Sequence, residues 1–196
     1  MIMKIGKYDV IYTNLEENCG KITIIDENEY KYSYQWGSMG GTIEQFLKQI
    51  NSEYFCDKLL STDESYVTDW RKTFRNIREH IRDEIGLKWY EHMEFQTHLR
   101  QNLNDFQERC IEQNDENYFV NYFHKYVGNY LDYSLIDDHY DAEELENDFK
   151  NISEVWYFLD KKPSQKYKDF NKLHKTLVKK LIKLETKSAK FLSKIK

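Results

Sequence analysis

The sequence predicts an α+β fold, with an N-terminal three-stranded antiparallel meander packed on a mostly helical body and a long basic C-terminal helix. Short runs of β-branched and aromatic residues, separated by turn signals, fill the first 36 positions. From about residue 64 onward, apolar residues recur every three or four positions, which is the period of a helix. One proline and seven glycines in 196 residues are too few for a fold with many turns.

Three segments carry the strand signal: 7–13, 21–27 and 28–36. Their connections are short, and parallel pairing would need a long crossover, so we expect an antiparallel meander. Gly20 lies in the first turn, where we expect it to adopt a positive φ. In the third strand, the alternation places Tyr30, Tyr32 and Tyr34 on one face.

A glycine-rich stretch, "WGSMGGT", joins the last predicted strand to the first predicted helix. Thr42 and Gln45 have the spacing of a capping box, so we expect that helix to begin after Thr42. A glycine-rich turn before a helix can hold a phosphate, but the lysine of a GxxxxGK[ST] loop is absent here. We interpret the stretch as a structural corner and keep it as a candidate contact loop, formed by Trp36, Gly37, Met39, Gly40 and Gly41.

Helices are predicted over most of the remaining chain. A short helix follows Asn51 or Ser52, and a helical pattern from about 64 to 112 is ended or kinked at Gly86. Residues 117–133 are aromatic on most sides and should lie in the core, whereas 153–160 fits either a helix or a strand. The length favours a single domain over 1–196, with a meander and short helices in 1–60, a helical body in 61–160 and the basic helix in 161–196.

The C-terminal segment carries an unusual concentration of positive charge. Residues 161–196 contain thirteen lysines and only two acidic residues, although the whole chain has a net charge of −5. Pro163 fits the start of this helix. Its apolar positions follow helical spacing at Phe170, Leu173, Leu177, Leu181, Leu184, Ser188, Phe191 and Ile195.

Three interpretations of this helix remain open. The apolar stripe packs on the body while the lysine stems extend along the surface, or the helix lies on a membrane surface, or the lysines bind nucleic acid or an acidic partner. The candidate binding residues are Lys172, Lys175, Lys179, Lys180 and Lys183.

Residues 132–148 form an acidic run with eight carboxylates and no lysine or arginine. Such a run is a solvated helix start, or a negative surface for a basic partner. The candidate partner-binding residues are Asp137, Asp138, Asp141, Glu143 and Glu144. A divalent metal held by Asp137, Asp138 and His139 is a third alternative, because hard cations favour clustered carboxylates.

Catalytic motifs are not apparent in the sequence. It contains no HExxH, GxSxG or CxxC pattern, and its three cysteines are far apart. We therefore predict a protein that is not an enzyme and that has no cofactor and no structural metal. The N-terminal residues lack the apolar stretch of a signal peptide and no run is long enough to span a membrane, so we expect a cytoplasmic protein.

Four blocks together resemble an uncharacterised family of proteins from bacteriophages and integrated elements: "WGSMGGTIEQFLKQINSEYFCDKL", "IREHIRDEIGLKWYEHMEFQ", "IDDHYDAEELENDF" and "VWYFLDKKPSQKYKDFNKLHKTL". The resemblance implies a phage setting inside a host cell. In that setting, small acidic proteins without catalytic motifs often block host defence enzymes, as anti-CRISPR and anti-restriction proteins do.

The leading functional hypothesis is therefore an inhibitor of a host nucleic-acid-handling defence system, which binds a host protein or protein–nucleic-acid complex by surface occupation. The alternative is a nucleic-acid-binding accessory protein that uses the C-terminal lysines. The oligomeric state stays open.

Overall fold

A computed structural model describes residues 1–83, 85, 92–136 and 139–192. The chain divides into two compact units, one formed by Met1–Val67 with Pro163–Lys196 and the other by Thr68–Lys162. The basic helix therefore belongs to the same unit as the N-terminal strands. Whether the two units act as the single domain expected from the chain length stays a prediction.

The N-terminal sheet has four antiparallel strands in the order β1-β2-β3-β4, and the prediction of three strands was wrong. The strands are β1 (Ile2–Ile5), β2 (Tyr8–Glu16), β3 (Cys19–Ile25) and β4 (Lys31–Trp36). The missed strand is β1, which has only four residues and one buried side chain, Ile5. A two-residue turn joins it to β2, and Gly6 provides the positive φ of 59° that such a tight hairpin requires.

Gly20 does not take the positive φ that the sequence predicted; Asn18, with φ 59°, does so in the turn between β2 and β3. Gly20 instead lies within β3, where close packing requires a small residue. A Cβ atom on Gly20 would lie 2.7 Å from Met39 Cε and 3.0 Å from Ile43 Cβ. The glycine therefore allows the loop after β4 to approach the sheet.

The inner face of the sheet is aromatic and aliphatic. Tyr32 and Trp36 in β4 are buried and Tyr34 is half-buried on the same face, as the alternation predicted. Tyr30 precedes the strand and is 65% exposed, so its predicted place on that face was wrong.

Three short helices follow: α1 (Ile43–Gln49), α2 (Ser52–Leu59) and α3 (Thr62–Ser65). The predicted capping box at α1 is confirmed, because the Thr42 side chain accepts from the Gln45 backbone N–H and the Gln45 side chain accepts from the Thr42 N–H. Asn51 caps α2 with a single side-chain bond, because its side chain accepts from the Tyr54 N–H. Side-chain caps satisfy N–H groups that a helix start leaves free, so each helix begins at a defined residue.

The long helix α8 (Gln165–Leu192) closes this unit. Ser164 precedes it and accepts from the Tyr167 N–H at 3.0 Å, which is the geometry of an N-cap. Pro163 lies in the preceding strand segment rather than in the first turn of the helix. The predicted apolar stripe is buried from Phe170 to Leu181.

Beyond Leu181 the stripe is no longer buried. Leu184 is 42% exposed, and Ser188 is exposed as well. The side chain of Phe191 and residue Ile195 lie outside the described part of the chain.

A buried histidine joins α8 to the short helices. The imidazole of His174 lies 3.0 Å from the Ser52 hydroxyl through Nδ1 and 3.0 Å from the Leu47 carbonyl oxygen through Nε2. Since the carbonyl only accepts, Nε2 carries the proton and Nδ1 accepts from the serine. Burial lowers the pKa of His174, and the neutral ring satisfies both neighbours.

The second unit is helical, with α4 (Trp70–Asp83), α5 (Met93–Gln113), α6 (Glu116–His124) and α7 (His139–Lys150). A π-helical turn spans Lys125–Asn129, and 3₁₀ turns span Tyr133–Leu135 and Val155–Phe158. Its core is rich in phenylalanine: Phe74, Phe95, Phe106, Phe119, Phe123 and Phe149 are fully buried. The predicted burial of 117–133 holds only in part, because Phe119 and Phe123 are buried whereas Tyr122 and Tyr130 are exposed.

The chain leaves the first unit within a short strand, β5 (Tyr66–Thr68), and returns to it within another, β6 (Lys161–Pro163). The helical pattern predicted from about 64 to 112 is therefore wrong at residues 66–69, although 64 and 65 lie in α3. The predicted break at Gly86 lies outside the described residues. None of the helices within the described ranges is both long and apolar enough to cross a membrane.

Substitution of Gly20 should test the close approach of the loop to the sheet. We expect Gly20→Ala to lower the free energy of unfolding by about 1–2 kcal/mol, because the added methyl group overpacks the contact with Met39 and Ile43. Gly37→Ala is the matched control: a Cβ there would meet nothing within 4 Å, so stability should stay unchanged or rise by up to about 1 kcal/mol. Urea denaturation of both variants measures the difference, and equal effects would contradict the packing explanation.

The histidine bridge should make stability depend on pH. Because the pKa of His174 is lower in the folded than in the unfolded chain, the unfolded chain binds the extra proton first as the pH falls. The free energy of unfolding should therefore be highest above about pH 6.5 and fall below it, by at most about 1.4 kcal/mol per pH unit. Urea denaturation between pH 5 and 8 measures this slope, and it should be shallower in His174→Gln. An identical slope in both proteins would rule out the bridge as its source.

Candidate functional site

Four of the five candidate lysines form a row along the outer side of α8. Lys172, Lys175, Lys179 and Lys183 are spaced by three or four residues, which places them on one helical face, and all four are exposed. Lys168, one turn earlier, extends the row. The buried residues Phe170, Leu173, Leu177 and Leu181 occupy the opposite face.

The fifth candidate, Lys180, lies to the side of this row. It is half-buried, and its Nζ donates to the Lys4 carbonyl oxygen of β1 at 2.7 Å. This hydrogen bond attaches α8 to the edge strand of the sheet. Lys180 therefore has a structural contact that the other four candidates lack.

The two carboxylates of α8, Asp169 and Glu185, each pair with a lysine outside the row. Asp169 lies to one side and pairs with Lys7 at 3.7 Å, and Glu185 lies to the other side and pairs with Lys48 at 2.7 Å. In the described part of the chain, the ammonium groups of Lys172, Lys175, Lys179 and Lys183 make no hydrogen bond and no ion pair. The row is therefore a line of positive charge that faces solvent.

A groove of about 290 Å³ lies beside this row, between the β1–β2 turn and α8. Ile5, Tyr8 and Leu173 form its apolar wall, and all three are largely buried. Its polar rim consists of Lys7, Asp169, Lys172 and Thr176. Lys172 thus belongs both to the lysine row and to the groove.

The glycine-rich loop offers little to a phosphate. Three N–H groups at the start of α1 already have partners: the Thr42 N–H donates to Gln45, the Gln45 N–H to Thr42, and the Ile43 N–H to the Asn14 side chain at 2.8 Å. Glu44 in the first turn adds a negative charge. An anion would have to displace these side chains, so the geometry favours the corner over the phosphate loop.

The contact residues assigned to this loop divide into two groups. Trp36 and Met39 are buried, and the Met39 N–H donates to the Asn18 carbonyl oxygen at 2.9 Å. Gly37 and Gly40 are exposed and Gly41 is half-buried. Gly40 has a φ of 69°, which the turn requires. Only the glycine backbone is therefore open to a partner.

The structure describes only some of the acidic candidate residues. Asp137 and Asp138 lie outside the described residues, and the side chain of His139 does too. Asp141, Glu143 and Glu144 are on α7 and exposed, and Asp141 lies 3.8 Å from His92 Nε2. Among residues 1–83, 85, 92–136 and 139–192, no three histidine, cysteine or acidic side chains are arranged to hold a metal ion.

The two buried cysteines are poorly suited to nucleophilic chemistry. Burial raises the pKa of the Cys56 and Cys110 thiols to about 12 in each case. Such thiols remain protonated near neutral pH, and only the thiolate is reactive. Cys19, the third cysteine, is half-buried at the start of β3.

Sequence reasoning found the lysines but missed the groove. The groove needs residues 5–8 next to residues 169–176, and no local pattern indicates that contact across the length of the chain. The one sequence signal was the Gly6–Lys7 pair between two apolar runs, which is typical of a tight hairpin.

Comparison with known proteins shows the family but no activity. No curated protein and no solved structure matches the chain. The model of one phage family, Phage_phiTE_072, matches residues 3–183, which includes both units and most of α8. The chain therefore belongs to this phage family.

Proposed function

We propose that this phage protein acts by binding and that its lysine row on α8 binds nucleic acid. The observation that carries the proposal is the uninterrupted, exposed line of Lys172, Lys175, Lys179 and Lys183 on the face opposite the buried stripe. Lysines that contact phosphates release condensed counterions, and this release provides most of the affinity of sequence-independent binding. The proposal assigns no catalytic residue and no cofactor.

The packing of α8 argues against the membrane-surface interpretation of the same lysines. An interfacial helix places its apolar face among the lipid acyl chains. In this protein that face is buried in the unit's own core from Phe170 to Leu181. Its lysines are therefore available to an anion, whereas most of its apolar stripe is not available to lipid.

A second candidate function uses α7. Asp141, Glu144 and Asp148 follow spacings of three and four, so they share one side of the helix, and Glu143 lies beside them. Such an acidic side supports the hypothesis of an inhibitor that occupies a basic groove of a host defence complex, in the manner of anti-CRISPR or anti-restriction proteins.

Charge removal from the row should weaken nucleic-acid binding and flatten its salt dependence. We expect Lys175→Gln/Lys179→Gln to reduce the slope of log affinity against log salt by nearly 2, since each lost contact removes roughly 0.9 for duplex DNA. Lys21→Gln/Lys31→Gln removes the same charge from exposed sites on the sheet and is the matched control. Fluorescence anisotropy with a labelled 20-base-pair duplex between 50 and 300 mM salt measures both. The proposal fails if the wild-type protein does not bind the duplex at 50 mM salt. It also fails if the two variants lose the same amount of affinity and salt dependence.

The inhibitor hypothesis predicts a host partner that depends on the acidic side of α7. Affinity purification from infected cells, with nuclease treatment to remove nucleic acid, should recover a host protein with the wild-type chain. Asp141→Asn/Glu144→Gln should recover several-fold less of it, because two of the charges that face a basic groove are lost. Lys175→Gln/Lys179→Gln should recover it unchanged. Equal recovery with the acidic variant would refute this use of α7.

A further inference from the structure

We propose that the groove between the β1–β2 turn and α8 holds one unpaired base, so that the lysine row binds single-stranded nucleic acid in preference to a duplex. This inference rests on the proposed nucleic-acid binding and names the form of nucleic acid that the same site takes. It depends on the shape of the groove, the chemistry of its rim and its position beside Lys172.

The size and walls of the groove suit a single flat ring. Its volume of about 290 Å³ lies just below the usual range for small-molecule sites, which fits one base and not a base pair. Ile5, Tyr8 and Leu173 provide the apolar surface that the face of a base requires. Tyr8 is held in place by Phe170, whose ring lies edge-on at 5.6 Å between centroids.

The rim provides polar groups for the edge of a base. The Asp169 carboxylate accepts from the Gln165 side chain at 2.8 Å and retains further acceptor capacity, which matches the exocyclic amino groups of bases. The Lys7 ammonium, 3.7 Å from Asp169, provides donors on the same side. The Thr176 hydroxyl donates to the Lys172 carbonyl oxygen at 2.9 Å, so its lone pairs can still accept a hydrogen bond.

The position of the groove connects the base to its own phosphates. Lys172 lies on the rim, and Lys168 and Lys175 are its neighbours in the row. A strand whose phosphates follow the row can therefore place one base in the groove without leaving the lysines. In a duplex every base is paired and stacked, so filling the groove would first require a base to leave the helix. A duplex should bind the row alone.

The proposal can be tested with a substitution that fills the groove and leaves the lysines unchanged. Thr176→Phe places a ring in the groove, and Thr186→Phe places the same ring on α8 outside it. The two threonines are matched, because Thr186 also donates to the carbonyl oxygen four residues earlier, at 2.9 Å. We expect Thr176→Phe to reduce the affinity for a mixed-sequence 15-mer single strand about tenfold, the size of a lost stacking contact, and to leave duplex affinity unchanged. Thr186→Phe should leave the preference for the single strand intact.

A second measurement does not depend on how a variant folds. Single strands of the same 15-mer with 5-bromouracil at successive positions are irradiated with the wild-type protein, and the crosslinked peptide is identified by mass spectrometry. We expect a crosslink at Tyr8 with the single strand and none with the duplex. The proposed base site would be overturned if crosslinks formed only outside residues 5–8 and 169–176. Equal loss of single-strand and duplex binding in Thr176→Phe would also overturn it. Weaker binding of both forms by Lys175→Gln/Lys179→Gln, with the preference for the single strand retained, supports both proposals, whereas no binding by the wild-type protein rejects the proposed function itself.

Discussion

The burial of one face of α8 in the N-terminal unit determines how the charged parts of that unit are arranged. Phe170, Leu173, Leu177 and Leu181 leave water together, and each such side chain contributes roughly 1.5–3 kcal/mol when fully buried. Since a helix has a fixed period, burying one face fixes where every other side chain points. The lysine row faces solvent because the stripe opposite to it faces the core. The groove exists because the same packing brings α8 against the turn between β1 and β2.

Much of this arrangement could be predicted from local patterns. Apolar residues at spacings of three and four identified α8 and its buried side, and Thr42 with Gln45 identified the start of α1. The failures have physical causes. Strand β1 was missed because four residues with one buried side chain give almost no alternation to detect. Gly20 was misassigned because a glycine needed for close packing and a glycine needed for a positive φ look identical in a sequence.

The candidate site also combines features that local sequence patterns reveal with features that depend on tertiary contacts. The lysines could be identified as a row from sequence alone because their spacing is local and their counter-charges are few. The structural role of Lys180 could not be identified from sequence, because this lysine donates to the Lys4 carbonyl oxygen at the other end of the chain. His174 is a similar case: its role depends on Ser52 and Leu47, which lie more than a hundred residues away in sequence. Tertiary contacts determine which polar residues are structural and which remain available for binding.

The lysine row also has an energetic cost within the helix. Lys168, Lys172, Lys175, Lys179 and Lys183 form four like-charged neighbour pairs, each unfavourable by about 0.2–0.5 kcal/mol at low salt. The repulsion totals roughly 1–2 kcal/mol, which is smaller than the contribution of the buried stripe, so the helix tolerates it. A bound polyanion would reduce this repulsion and, if it binds the aligned row more tightly than the unfolded chain, would also stabilise the unit. Salt should screen both interactions, so raising the salt concentration weakens polyanion binding and also reduces the repulsion within the free helix.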